Sequence, residues 1–392
     1  MRSAVATFLW LAAQAGAALA SPRPAPPAPF QTFTNRTIYD PHGKARVMYP
    51  RVAELDDGTL LVTASVMGSS FFSRDAAFPI FESKDAGASW TWISNLTDQV
   101  NGWGMSAQPA LLELREPLGK FKPGTILASG NSWSSNGTRI DLYASTDRAR
   151  TWQFVSHVAQ GGAPNTTNGA TPVWEPFLLV HNHELIVYYS DQRDPLHGQK
   201  LSHDLLTWGP VINDVAYAEY LARPGMTVVA HIPPLRKWIL VYELPVGNSS
   251  SYGSHYPVHY RLADDPTQFD AAEPIAIVVD DGKGNKIAPN ASPYVVWSKE
   301  GGKNGTIVVS DADRAAVYIN RAGGDPGKWE IKDAGQAEAY SRALHVFEKR
   351  QEALAVIGGD SFDGNGWGGL SLTVLDVREW WGGGKGCKER RA

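Results

Sequence analysis

Ser83-Lys84-Asp85-Ala86-Gly87-Ala88-Ser89-Trp90 is the stretch from which the fold is read, because its frame, S-x-D-x-G-x-x-W, returns along the chain. Ser145-Thr146-Asp147-Arg148-Ala149-Arg150-Thr151-Trp152 repeats it with Ala in the glycine position. Ser202-His203-Asp204-Leu205-Leu206-Thr207-Trp208 is one residue shorter, and Asp265-Pro266-Thr267-Gln268-Phe269 and Asp325-Pro326-Gly327-Lys328-Trp329 are eroded copies. The aromatic ends fall at 90, 152, 208, 269 and 329, spaced by 62, 56, 61 and 60. Such a period marks a fold assembled from like supersecondary units. The chemistry of the motif is that of a hairpin turn: Asp accepts backbone N–H groups, Gly supplies a positive φ, and the aromatic ring folds back on the hairpin. It is structural and carries no catalysis.

Two more marks recur with it. A proline opens an apolar strand at Pro50 (YPRVAEL), Pro109 (QPALLEL), Pro176 (EPFLLV), Pro224 (RPGMTVV) and Pro293 (SPYVVW). Proline is tolerated at a strand start or sheet edge, where its missing N–H breaks no ladder. A second strand follows each time: GTLLVTA, GTILASG, HELIVYY, KWILVYE, GTIVVSD and EALAVIG, six in all. The S-x-D-x-G-x-x-W frame resembles the Asp box of sialidase-like β-propellers. The prediction is an all-β, single-domain, six-bladed β-propeller over residues 21–392, with degenerate Asp-box hairpins. The Phe30–Asp40 segment is expected to pair into the last blade and close the ring.

Composition agrees. Of 392 residues, 38 are Gly, 26 Pro and 14 Trp, and only 19% are charged, below the roughly 25% usual for soluble domains. That mix suits short strands and tight turns, not a helical bundle or a disordered chain. A net charge of −4 offers no basic field for nucleic acid or anionic lipid, so neither is an expected partner.

Arg2, the apolar run Ala4–Ala20 and its Ala18-Leu19-Ala20 end read as a signal peptide over 1–20, cut near Ser21. The run is broken by Gln14 and Gly16 and is too short to span a bilayer. N-x-[ST] sequons begin at Asn35, Asn95, Asn136, Asn165, Asn248, Asn290 and Asn304, so a secreted glycoprotein is expected. Cys387 is the only cysteine. With no internal disulfide possible, stability must come from the core and from closure.

Propellers bind ligands at the channel mouth, where inner strands begin. The residues before the inner-strand prolines are Tyr49, Gln108, Glu175, Arg223 and Ser292, and the sixth repeat offers Tyr340 and Arg342 in AYSRALHV. This polar ring is either a hydrogen-bonded plug or a funnel-shaped active site. Pro176 is expected to hold Glu175 extended. Trp174 is a sugar platform or hairpin packing, and the same choice applies to Trp133 and Trp367. Glu243 ends an apolar strand. It is either ion-paired to Arg223 or Arg261, or a desolvated carboxylate with a perturbed pKa.

Two such carboxylates on one cleft are what glycoside hydrolysis needs, at about 5–5.5 Å apart for retention and 6.5–9.5 Å for inversion. His181/His183 and His255/His259 have metal-like spacing that strand geometry explains more simply. Gly364–Gly369 lacks the context of a phosphate loop, and no G-x-S-x-G occurs. No metal or cofactor is expected.

The segments TPVWEPFLLV, LARPGMTVVAHIPPLRKWILVYELP, YPVHYRLADDP and AEAYSRALHVF resemble the exo-α-1,5-L-arabinanases of glycoside hydrolase family 93, fungal secreted six-bladed propellers. That resemblance implies Glu175 as acid/base, Glu243 as nucleophile and Tyr340 as the tyrosine contacting the nucleophile. It also implies arabinobiose released, with retention, from the non-reducing end of linear plant cell-wall arabinan. Arg51, Gln108, Trp133, Trp174, Arg223 and Arg342 are the expected substrate-binding residues, and the protein is expected to be a monomer.

Two rivals remain. A sialidase would need Arg-x-Pro in the first blade, but the order here is Tyr49-Pro50-Arg51, leaving Arg51, Arg223, Arg261 and Arg342 as its only anion site. A non-catalytic sugar-binding propeller predicts no dependence on Glu175 or Glu243.

Overall fold

The structure is a computed structural model. It describes residues 30–381 except 69–71, 168, 194–195, 220–221, 246–254, 281–282 and 362–367. The signal segment, Asn248, Trp367 and Cys387 therefore lie outside the described residues. What is described consists of strands, turns and short 3-10 segments.

Six four-stranded antiparallel sheets make six blades, as the repeats predict. Their first strands are Arg46–Glu54, Met105–Glu113, Val173–His181, Gly225–Ile232, Tyr294–Ser298 and Ala343–Phe347. Each touches the first strand of the next blade, and the sixth touches the first, so these strands ring the axis. The last blade is composite. Its fourth strand is Phe33–Tyr39, paired antiparallel to Leu370–Asp376. Asn35 N–H donates to Thr373 Oγ1 at 3.1 Å across 338 residues of sequence.

Blades pack face to face through apolar side chains pointing out of neighbouring sheets. Leu61, Phe78, Ile80, Ile126 and Tyr143 fill the first interface. Leu127, Leu142, Val158, Leu185 and Tyr189 fill the second, and Ile186, Tyr188, Leu240, Tyr242 and Phe269 the third. Fully burying one such side chain contributes about 1.5–3 kcal/mol, so the interfaces can hold the ring without a covalent staple.

The recurring turns make that packing specific. In the first, Ser89 N–H donates to Asp85 Oδ1 (2.8 Å) and Gly87 N–H to Ser83 Oγ (2.8 Å). Asp147 and Asp204 accept Thr151 N–H (2.9 Å) and Thr207 N–H (2.7 Å) in the same way. Gly87 takes φ +92, and a Cβ there would lie 2.3 Å from Leu372 of the closing blade. Trp152 and Trp208 then donate their indole N–H to Ser94 Oγ (3.3 Å) and Ser156 Oγ (3.0 Å) on the outer strands of the preceding blades. These two aromatic ends are thus inter-blade pins, whereas Trp90 donates to the Gly87 carbonyl of its own turn (3.0 Å). No helix among the described residues is long and apolar enough to cross a membrane.

Candidate active site

A cavity of about 960 Å³ opens where the first strands begin. Glu175, Glu243, Tyr340, Gln108, Trp133, Trp174 and Arg223 all line it, although they come from four different blades.

The backbone that presents them is a bulge repeated around the ring. The first strand of each of the first four blades slips register against its second strand: between Met48 and Arg51, Ala107 and Ala110, Trp174 and Phe177, and Gly225 and Val228. Tyr49, Gln108, Glu175 and Met226 sit inside these bulges at φ +58, +60, +62 and +61, and Ser292 (+41) and Ser341 (+56) continue the series in blades five and six. This corrects two expectations. Glu175 is left-handed, not extended: the bulge turns its amide toward the preceding blade, and that contact outweighs the preference Pro176 imposes. In blade four the bulge falls two residues after the proline, so Met226, not Arg223, is the counterpart of Glu175.

The turned amides form a ring of inter-blade hydrogen bonds. Gln108 N–H donates to Ser65 Oγ (2.9 Å), Glu175 N–H to Gln108 Oε1 (3.0 Å) and Met226 N–H to Glu175 Oε2 (2.7 Å). Ser292 N–H donates to Glu243 Oε2 (2.6 Å), Ser341 N–H to Ser292 Oγ (2.9 Å), and Tyr49 N–H to the Tyr340 carbonyl (3.4 Å), completing the circuit. Both carboxylates are members of it, each with Oε2 tied and Oε1 meeting no donor among the described residues.

Register also reveals residues the sequence reading missed. Ser65, Asn131, Ser190 and Glu243 occupy one position, opposite the residue that precedes the bulge. Asn131 Nδ2 donates to Gln108 Oε1 (2.6 Å) just as Ser190 Oγ donates to Glu175 Oε2 (2.6 Å). Gln108 over Asn131 is thus a neutral counterpart of Glu175 over Ser190. The signal was present: extended to this position, the second-strand marks read GTLLVTAS, GTILASGN, HELIVYYS and KWILVYE. Gly225 could not have been picked out from sequence. It lies opposite Glu243, and a Cβ on it would come within 3.1 Å of Glu243 Oε1.

Burial raises both carboxyl groups. For Glu175 it outweighs the opposing Ser190 hydroxyl, Met226 amide and the charges of Arg223 and Arg51. Glu243 is pushed up to about 8, by burial first and then by the charge of Glu175, against the Ser292 amide and Arg223. Burial thus favours the protonated form of both groups, and the charge of Glu175 opposes ionisation of Glu243. Burial, followed by the two carboxylate charges, pushes the Tyr340 phenol well above its usual value and keeps it neutral. Glu243 has no ion pair among the described residues. Arg261, one of its suggested partners, instead donates to the Phe269 and Asp270 carbonyls.

Trp133 and Trp174 meet edge to face at 5.4 Å on the cavity wall. Arg51 and Arg342 do not line the cavity, which corrects their expected substrate contact. Arg51 lies beneath it, 4.0 Å over the Tyr49 ring and donating to Pro50 and Ser341. Arg342 is fully buried between blades, paired with Asp311 and donating to the Asp311 and Ala316 carbonyls. A guanidinium with that many carbonyl partners is a core strut. His181 meets Trp238 edge to face and His259 stacks on Tyr242, and among the described residues no three His, Cys, Asp or Glu converge as a metal site.

No family model matches the sequence, and no curated protein does. Solved structures do match. The α-L-arabinofuranosidase Arb93A of Fusarium graminearum, in complex with an iminosugar inhibitor, is 42% identical with a TM-score of 0.84, over 89% of this chain and 99% of that one. The glycoside hydrolase family 93 α-L-arabinofuranosidase of the same fungus with arabinobiose gives 42% and 0.83 over the same shares. A Penicillium chrysogenum α-L-arabinanase with arabinobiose gives 40% and 0.82, again over 89% and 99%. A microbial sialidase, at 12% identity and a TM-score of 0.57, shares the fold alone. With relatives of this identity matched over nearly their whole length, the chain belongs to glycoside hydrolase family 93.

Proposed function

We propose that the protein is a retaining exo-α-1,5-L-arabinanase, secreted as a monomer, that releases arabinobiose from the non-reducing end of linear cell-wall arabinan. One observation carries this reading: two half-buried carboxyl groups on consecutive blades face one cleft, each with one oxygen anchored and one oxygen open. The solved relatives bound to arabinobiose supply the sugar.

In the productive state Glu175 is protonated and Glu243 is charged. Glu243 attacks the anomeric carbon as the glycosidic C–O bond breaks, and Glu175 gives its proton to the leaving oxygen. Glu175, now a carboxylate, then takes a proton from water, whose oxygen attacks the same carbon and frees Glu243. Arg223 steadies both charges, Tyr340 stays a neutral phenol beside them, and Trp133, Trp174 and Gln108 form the sugar-facing wall. Arg51, Arg261 and Arg342 do not line the cavity, which removes three of the four arginines a sialate site would have used.

Product chromatography on linear arabinan, debranched arabinan and a sialoside tests the reading. Arabinobiose as the sole early product from the arabinans supports it. Free sialate, or no turnover of either arabinan, overturns it.

A further inference from the structure

Trp92, on the outer strand Thr91–Thr97 of the first blade, leaves 52% of its surface open. Part of the ring is packed: Tyr39 and Phe81 meet it at centroid distances of 5.7 and 5.9 Å. Its indole N–H donates to the Ser94 carbonyl (2.9 Å) and to Asn95 Oδ1 (3.0 Å), which fixes the ring beside the asparagine amide. Asn95 opens the sequon Asn95-Leu96-Thr97, is exposed, and lies on the unpaired edge of its blade. Its Nδ2 donates to no group among the described residues.

Asn290 shows the opposite arrangement. Its Nδ2 donates to Asp313 Oδ2 (2.5 Å) and its Oδ1 accepts Tyr256 N–H (2.9 Å), within the cleft. A sugar there would fill the active site. The sequons are therefore not equivalent. At Asn95 the residue is exposed and its amide oxygen is pinned to an exposed aromatic surface.

We propose that Asn95 carries an N-linked glycan whose first sugar stacks on the open face of Trp92, covering that ring and the first blade's outer edge. In the attachment step, the Asn95 Nδ2–C1 bond forms as the C1–O bond of a lipid-linked sugar diphosphate breaks, and the amide proton leaves with the diphosphate. The sugar's C–H face removes apolar indole surface from water, and the bulky chain blocks edge-to-edge pairing. This inference rests on the secretory route proposed above and not on the hydrolase reading.

The test uses full-length protein secreted from a eukaryotic host. Peptide mass spectrometry gives occupancy at each sequon. Melting curves are then taken for wild type, Trp92→Ala, Asn95→Gln and the double variant, with glycans intact and trimmed to one N-acetylglucosamine. The expectation is an occupied Asn95, an empty Asn290, and a Trp92→Ala loss about 2 °C larger with the sugar than in the Asn95→Gln background, before and after trimming. Because Trp92 is at the surface, all three variants should fold. Equal losses in both backgrounds overturn the stacking. An empty Asn95 alongside sugar on Asn35 or Asn136 overturns the inference and leaves secretion standing, whereas no sugar anywhere overturns both.

Discussion

Glu175 and Glu243 are held by the same bond. One oxygen of each accepts the bulge amide of the following blade, from Met226 at 2.7 Å and Ser292 at 2.6 Å. They reach this equivalence from different strands, Glu175 from within a bulge and Glu243 from the strand opposite one. What distinguishes them is the Ser190 hydroxyl, which only Glu175 receives.

Replacing Glu243 by Gln should lower kcat on linear arabinan by about 10³-fold or more with no loss of fold. A carboxyl group whose folded pKa lies near 8, above its value of 4.5 in the open chain, binds more protons folded than unfolded. Its ionisation therefore drains stability as pH rises from about 4.5 to 8. Thermal melts at pH 5 and pH 8 should show Glu243→Gln gaining on wild type at the higher pH. A constant difference would refute the shift.

Glu175→Ala should cost most where the leaving group needs a proton. Turnover of arabinan is expected to fall about 10²–10⁴-fold, while an aryl arabinofuranoside with an acidic phenol loses far less. Equal losses would take the acid/base role from Glu175.

Ser190→Ala removes a hydroxyl that favours the charged form of Glu175, so the Glu175 pKa should rise further. Both limbs of the kcat/KM profile against pH are then expected to move upward. Ser190→Thr, which keeps the hydroxyl, should restore the wild-type profile; a Thr variant resembling Ala would indicate a packing role only.

Gly225 does not have the positive φ that would bar a side chain. An alanine methyl would nevertheless press on Glu243 Oε1 at 3.1 Å and Cγ at 3.2 Å. Gly225→Ala should cut kcat about 10–100-fold and leave the melting midpoint nearly unchanged. Unaltered kcat would mean that the carboxylate is free to shift.

Arg342→Met leaves Asp311 buried without its counter-charge, a loss of about 3–5 kcal/mol by denaturant titration. KM of the folded fraction should stay at the wild-type value. A tenfold rise in KM would return Arg342 to the substrate site.

Much of this was legible in the sequence. The turn motif and its spacing mark the blades, and Glu175, Glu243 and Tyr340 stand out by position and by family resemblance. The misreadings share a cause. Proline positions suggest a fixed frame, but the functional frame is the bulge, which stands two residues from the proline in blade four and lacks a proline in blade six. Arg51 and Arg342 stand two residues after the cavity residues Tyr49 and Tyr340, where regular alternation would return them to the same side; the left-handed residues Tyr49 and Ser341 break that alternation. Ser190 and Asn131 end the second-strand marks at one common position, but only strand pairing places them opposite the bulges.

Strand Phe33–Tyr39 leaves the ribosome before the other strands of the ring, but the partner it needs, Leu370–Asp376, emerges only after all six blades have been started. Closure of the ring must therefore wait for that strand. Until then the nascent protein is an open arc with two unsatisfied sheet edges, a species for chaperones to hold. A nonsense mutation anywhere before Leu370 would strand it there.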